Sequence, residues 1–130
     1  MKIGLFGGTF NPVHRCHLAV AAGARDRLKL DRVLFIPSGD PPHKPSGDLA
    51  PFEDRLAMVR LAVAGEPSFA VSDIEGRQEA KSYSIATVRR LRDSLPPGDE
   101  LVFLIGLDAF RDFATWREPR ALLSLCDFVV

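Results

Sequence analysis

The sequence predicts an α/β protein built on a doubly wound parallel sheet. Short, continuous apolar runs recur along the chain and are typical of buried parallel strands. Stretches with helical apolar spacing separate these runs, so strands and helices alternate through all 130 residues. Proline and glycine mark most of the junctions. The length suits one domain, which we assign to residues 1–130.

The first β-α-β unit occupies the N-terminal third of the chain. The apolar run 3–6 predicts a strand, and helical spacing of leucine, valine and alanine predicts a helix over 13–28. Asn11 suits the N-cap of this helix, and Pro12 suits its first position. The apolar run 33–36, followed by Pro37, predicts the second strand, and a unit of this kind is right-handed.

The alternation continues beyond Pro37. The proline-rich segment 37–51 predicts an irregular loop, and a helix is expected from Pro51 to about Gly65, with Arg55 and Arg60 facing solvent. The remaining predictions are strands over 69–72 and 101–105, helices over 85–95, 109–113 and 120–125, and a final strand that begins at Phe128.

Composition places the chain among ordinary globular proteins. Seventeen basic residues balance seventeen acidic ones, so no overall field attracts nucleic acid or an anionic membrane. No apolar run approaches the ~20 residues of a membrane span, and the chain starts directly with a strand, which favours a cytoplasmic location. Cys16 and Cys126 are too few for a disulfide framework. No Cys/His spacing matches a zinc site, so we expect no metal held by the protein.

Residues 2–18 contain the strongest functional signal. Gly7 and Gly8 are expected to break the first strand and to allow a close backbone approach. His14 and His17 lie on one face of the first helical turn and are two potential cations. Free N–H groups, the helix dipole and the imidazoles converge on one point, which predicts an anion site for phosphate. The alternative from these residues alone is a structural turn beside structural histidines.

The run GGTFNPVHRCH resembles the signature of nucleotidyltransferases with an H-x-G-H motif, most closely the nicotinate mononucleotide adenylyltransferases. The resemblance implies a Rossmann-like nucleotidyltransferase fold. It also implies an ATP site that includes Gly7, Gly8, Thr9, Phe10, His14 and His17. The two histidines would be the catalytic residues. The sequence departs from the motif at Cys16, where the family has glycine.

Further motifs resemble the same family. Gly106 and Asp108 match its Gly-x-Asp, in which the acid meets the adenosine ribose; a helix cap is the alternative for Asp108. Lys44 lies in a Pro-Pro-His-Lys segment that would face the substrate phosphates. Ser84 would bind the pyridine carboxylate, although helix capping explains its Ser-Tyr-Ser element equally well. Trp116 would stack on the pyridine ring, and core packing is its alternative role.

The resemblance implies transfer of AMP from ATP to nicotinate mononucleotide, a step of NAD biosynthesis. The substrate phosphate would be the nucleophile, and Thr9 would donate its hydroxyl to that phosphate. Mg²⁺ would arrive coordinated by ATP and water. Two alternatives stay open: a related phosphopantetheine adenylyltransferase or cytidylyltransferase, and a non-catalytic nucleotide-binding remnant.

The family pattern continues past the last predicted strand to an I-S-x-T-x-x-R motif, which does not occur in this sequence. We therefore expect the chain to hold the N-terminal two-thirds of the family domain, either as a gene fragment or as a shortened protein. A bare apolar final strand pairs readily with a second copy, which predicts a homodimer.

Overall fold

The computed structural model describes residues 1–39, 49–77, 84–106 and 110–130. The strands are β1 (Lys2–Gly8), β2 (Arg32–Pro37), β3 (Phe69–Val71), β4 (Glu100–Leu104) and β5 (Asp127–Val129). The α-helices bounded within these residues are α1 (Arg15–Leu28), α2 (Phe52–Val63), α3 (Ser84–Ser94) and α4 (Pro119–Leu125). Short 3-10 turns cover Ile74–Arg77 and Phe113–Thr115.

The strands form one sheet in the order β3-β2-β1-β4-β5, and every neighbouring pair is parallel. β1 lies at the centre, where Leu5 faces Leu34 of β2 on one side and Phe103 of β4 on the other. This arrangement confirms the predicted α/β class. It also explains why the strands read as unbroken apolar runs, since a parallel sheet is covered on both faces.

Two hydrophobic clusters lie on opposite faces of the sheet. Along β4, Leu101 and Phe103 belong to one cluster, and Val102 and Leu104 belong to the other, as the two-residue period of a strand requires. The first cluster contains buried residues of α3 and α4, namely Ile85, Val88, Leu91 and Leu122. The second contains buried residues of α1 and α2, namely Ala21, Val59 and Val63. Helices therefore cover both faces, which confirms the double winding.

The start of α1 differs from the prediction. The helix begins at Arg15 rather than at residue 13, and its N-cap is His14, whose backbone is extended with φ −143°. Asn11 does not cap the helix, because its Oδ1 accepts a hydrogen bond from the Ala50 N–H at 3.2 Å. Pro12 follows a cis peptide bond and lies outside the helix. The predictions for Asn11 and Pro12 were therefore wrong.

Most other boundaries agree within two residues. The predicted helices 51–65, 85–95 and 120–125 correspond to α2, α3 and α4, and β5 confirms the strand near Phe128. Ser84 is the first residue of α3. The predicted helix over 109–113 starts outside the described residues, which resume at residue 110.

Candidate functional site at the switch point of the sheet

The centre of the sheet contains a topological switch point. Successive strands run outward from β1 through β2 to β3, and then from β4 to β5 on the other side. The crossover helices therefore leave β1 and β4 toward opposite faces, which opens a crevice at the carboxyl ends of these two strands. Ligands of open α/β sheets bind in such crevices. Gly7 and Gly8 end β1 here, and Gly106 lies two residues beyond the end of β4.

Gly7 and Gly8 continue β1 rather than breaking it, so that expectation was wrong. They pair in register with Ile36 and Pro37, because β2 extends as far as they do. Neither glycine has a positive φ, so left-handed freedom is not the reason for glycine here. A side chain at Gly8 would lie 3.6 Å from the Phe10 ring, in ordinary contact. Because neither glycine has a side chain, no side chain of theirs covers the backbone at the carboxyl end of β1.

Phe10 forms the turn between β1 and α1. Its φ of 47° is left-handed, which costs an L residue roughly 1–2 kcal/mol. Burial holds it there, since only 2% of the residue is exposed and its ring packs against Phe6 and Phe35. The Phe10 side chain therefore belongs to the core.

His14 and His17 lie together at the start of α1. Their rings are stacked, with centroids 3.9 Å apart and planes inclined by 29°. The His14 backbone N–H donates to His17 Nδ1 at 3.0 Å. Since Nδ1 accepts a hydrogen bond, the neutral His17 ring carries its proton on Nε2. The Phe10 ring supports His17 from the side, edge-on at 5.0 Å.

His17 is not the cation that the sequence suggested. Burial lowers the pKa of His17 below its ordinary value of 6.5, and the nearby His14 imidazole lowers it further. At neutral pH this ring is an uncharged donor rather than a fixed positive charge.

Arg55 lies in this region, and the prediction for this residue was wrong. It was expected to face solvent, yet only 1% of it is exposed, whereas Arg60 is exposed as predicted. Its guanidinium donates to the carbonyl oxygens of Thr9 (3.0 Å), Ser38 (2.6 Å), Gly39 (3.2 Å) and Ala50 (2.8 Å). The helical spacing contained the signal: Arg55, Val59 and Val63 recur every four residues and share the buried face of α2.

Ser38, which follows β2, is another residue of this region, and no prediction was made for it from the sequence. Its backbone N–H donates to the Gly8 carbonyl at 2.8 Å, which joins the ends of β2 and β1. Its hydroxyl is buried and has no hydrogen-bond partner among the described residues. A buried hydroxyl of this kind marks a place where a ligand or water can bind. No sequence motif identified it.

Ser84 and Trp116 lie on the face of the sheet opposite α1. Ser84 begins α3, and its neighbour Ile85 belongs to the same hydrophobic cluster against which Trp116 packs. The Trp116 ring contacts Phe103, Phe113 and Phe128, with centroids 5.2 to 6.5 Å away, and remains partly exposed. This geometry fits both the core role and an aromatic platform. Lys44 and Asp108 lie outside the described residues.

An open groove of about 650 Å³ lies between α1, from His17 to Leu28, and the residues that end β4 and β5. His17 lies at one side and Gly106 at the other, and Phe6, Leu104 and Ile105 contribute to its apolar walls. Two residues predicted to bind ATP therefore line one groove. Within the described ranges, no three His, Cys, Asp or Glu side chains group closely enough to hold a metal ion. No helix in those ranges is both long and apolar enough to cross a membrane.

Relatives of known sequence resemble the whole chain. A protein of Geobacter metallireducens named "Probable nicotinate-nucleotide adenylyltransferase" is 55% identical over 129 residues, which are 99% of this chain and 59% of that protein. A protein of the same name from Geobacter sulfurreducens is 52% identical over 130 residues, 100% of this chain and 60% of that protein. The chain thus spans about three-fifths of the length of these curated relatives.

Solved structures show the same fold. Plasmodium falciparum nicotinic acid mononucleotide adenylyltransferase complexed with NaAD superposes with a TM-score of 0.82 at 18% identity, over 98% of this chain and 62% of that one. Its complex with APC gives a TM-score of 0.79 at 17% identity, over 98% and 61%. A cytidylyltransferase-like family model matches residues 5–130. The match extends from β1 to the end of β5, and the chain therefore belongs to the cytidylyltransferase-like family.

Proposed function

We propose that the protein transfers AMP from ATP to nicotinate mononucleotide and releases nicotinate adenine dinucleotide and pyrophosphate. The names of relatives about 50% identical over the full chain support this reaction. The structural observation that carries it is the stacked pair His14–His17 at the switch point, joined by the 3.0 Å hydrogen bond from His14 N–H to His17 Nδ1. A reaction between water-soluble nucleotides also fits the proposed cytoplasmic location.

The proposed chemistry is a direct displacement. A phosphate oxygen of nicotinate mononucleotide attacks the α-phosphorus of ATP, and the bond to the pyrophosphate oxygen breaks. Catalysis then consists of alignment and charge stabilisation, without a covalent enzyme intermediate. His17 Nε2–H donates to the phosphates of ATP, and His14 lies beside it for the same role. The Thr9 hydroxyl orients the attacking phosphate.

Mg²⁺ bound by the ATP phosphates and water would neutralise charge on the leaving pyrophosphate. His17 carries its proton on Nε2, so this nitrogen donates to a phosphate oxygen and has no free lone pair for the ion.

The two substrates would occupy the two sides of the crevice. The groove between His17 and Gly106 suits ATP, with Asp108 meeting the ribose. The face that bears Ser84 and Trp116 suits the pyridine end of nicotinate mononucleotide, since a helix N-terminus favours a carboxylate. Lys44 would neutralise the substrate phosphates.

The test is product formation. Purified protein is incubated with Mg-ATP and nicotinate mononucleotide, and nicotinate adenine dinucleotide is measured by chromatography and mass spectrometry. We expect His17→Ala to lower kcat by about 10²-fold, with a smaller effect on nicotinate mononucleotide binding, because the Nε2–H acts mainly in the transition state. Unchanged turnover in His17→Ala would remove the histidine from the mechanism.

A second candidate is transfer to another phosphate acceptor, which the breadth of the cytidylyltransferase-like family favours. Phosphopantetheine and cytidylyl acceptors are therefore assayed in parallel through pyrophosphate release. Release with one of these, and none with nicotinate mononucleotide, would select this candidate. Calorimetric binding of ATP without turnover on any acceptor would instead indicate a non-catalytic nucleotide-binding protein.

A further inference from the structure

We propose that Arg55 is a positioning residue, which orients the turn between β1 and α1 so that it binds phosphate. The proposal rests on the proposed nucleotide site but concerns a side chain that does not line it. Arg55 lies on α2, and it reaches the turn from inside the protein. Its effect on a ligand would therefore pass through the backbone.

The contact with Thr9 determines the direction of a backbone donor. Arg55 Nη1 donates to the Thr9 carbonyl oxygen at 3.0 Å. In a trans peptide the C=O and the following N–H point in opposite directions. Because Arg55 holds the Thr9 oxygen toward the protein interior, the Phe10 N–H points away from Arg55. Phe10 also packs its ring edge-on against His17 at 5.0 Å, so a change in the orientation of the Thr9–Phe10 peptide would move the support of His17 as well.

The same guanidinium joins three separate segments. Its other partners are the carbonyls of Ser38 and Gly39, just beyond β2, and of Ala50, just before α2. Two further bonds connect the same segments: Ser38 N–H donates to the Gly8 carbonyl, and Ala50 N–H donates to Asn11 Oδ1. The turn is thus held in register with the end of β2. A side chain with a single donor atom cannot make all of the hydrogen bonds that the guanidinium makes.

The environment of Arg55 keeps the guanidinium in place. The Phe52 ring lies 5.6 Å from the guanidinium carbon, at a distance typical of a cation–π contact. Gly76 makes room for this ring, since a Cβ at residue 76 would overlap it. The fixed guanidinium also leaves a positive charge behind the proposed phosphate site.

Arg92 provides a matched control. It too donates to two backbone carbonyls, those of Asp99 and Pro96. These carbonyls lie between α3 and the start of β4, so they are at the amino ends of the strands, opposite the crevice. Removal of either arginine deprives carbonyl groups of their donor. Only Arg55 contacts the phosphate-binding turn.

The experiment compares wild type, Arg55→Met, Arg55→Lys and Arg92→Met. Binding of Mg-ATP and of inorganic tripolyphosphate is measured by calorimetry, and the free energy of unfolding by urea denaturation. We expect Arg55→Met to weaken both ligands by about tenfold or more, and Arg55→Lys to weaken them less. Arg92→Met should bind within about twofold of wild type, even where it loses similar stability.

Hydrogen exchange supplies a readout that does not depend on the ligand. The Ser38 amide, whose N–H donates to the Gly8 carbonyl, should exchange faster in both Arg55 variants than in Arg92→Met. If Arg55→Met does not fold, the same measurements on Arg55→Lys test the positioning role. Wild-type affinity in a folded Arg55 variant would overturn the positioning role alone. Failure of the wild type to bind either ligand would overturn the proposed nucleotide site itself, and with it the ligand role of Arg55.

Discussion

Among single residues, His17 is held in one tautomer and one orientation by its neighbours. The backbone N–H of His14 fixes one ring nitrogen as an acceptor, and the Phe10 ring supports the imidazole from the side. Partial burial and the neighbouring His14 lower the pKa of His17. Spacing in the sequence brings the two histidines together, but the protonation state follows from contacts with residues before the helix.

The pKa of His17 makes a direct prediction. Its NMR titration midpoint should lie below 6.5, and His14→Ala should move it back toward 6.5 because one of the two causes is removed. The folded protein then binds fewer protons than the unfolded chain below pH 6.5, so stability falls as pH decreases through this range. A His17 midpoint that is unchanged by His14→Ala would contradict the interaction between the rings.

Cys16 is the second residue of α1 and is exposed beside the two histidines. Our hypothesis is that the Cβ and sulfur of Cys16 narrow the space in which phosphates approach this turn. We predict that Cys16→Gly raises ATP affinity or turnover, measured by calorimetry and by product formation. The cost in helix propensity is less than about 1 kcal/mol. Equal kinetics in the two forms would show that the position has no steric role.

At the scale of elements, the ends of α1 are set by different causes. The N-terminal end follows from the turn at Phe10 and from the long-range bond between Asn11 and Ala50. The C-terminal end is local: Lys29 is left-handed, with φ 54°, and its N–H donates to the Arg25 carbonyl. Glycine is the usual residue in this conformation. Lysine there introduces strain.

Replacement of Lys29 by glycine should therefore stabilise the protein by about 0.5–1 kcal/mol. Glycine removes the steric cost of a Cβ at positive φ. This gain is reduced by the larger conformational entropy that glycine loses on folding. Urea denaturation measures the change, and Lys29→Ala is the control, since alanine retains the Cβ. An equal gain in the alanine variant would assign the effect to the lysine side chain instead of the backbone.

At the scale of the whole molecule, β5 forms one edge of the sheet. Among the described residues it pairs only with β4, and Val130 beyond it is 60% exposed. Such an edge is a template for pairing with a second copy. We predict a homodimer whose association weakens in Val130→Lys, measured by sedimentation equilibrium. Leu61→Lys on α2, where the leucine is 80% exposed, should leave association unchanged. A protein that stays monomeric at all concentrations would contradict this prediction.

Local patterns in the sequence were enough to predict the α/β class, the alternation of elements and the position of the histidine pair. These features depend on local chemistry: apolar runs, helical spacing and the break signals of proline and glycine. Arg55 was wrongly expected to face solvent, because a charged side chain is usually exposed, although its spacing from Val59 and Val63 matches the buried face of α2.

The partners of individual residues, by contrast, are known only from the folded protein. The pairing of Gly7 and Gly8 with β2, the bond that takes Asn11 away from the helix cap and the four carbonyls around Arg55 all join segments distant in sequence. Local propensity carries no information about such partners. A buried cation or a strained turn is stable only because groups from other elements satisfy it, and the fold alone brings those groups together.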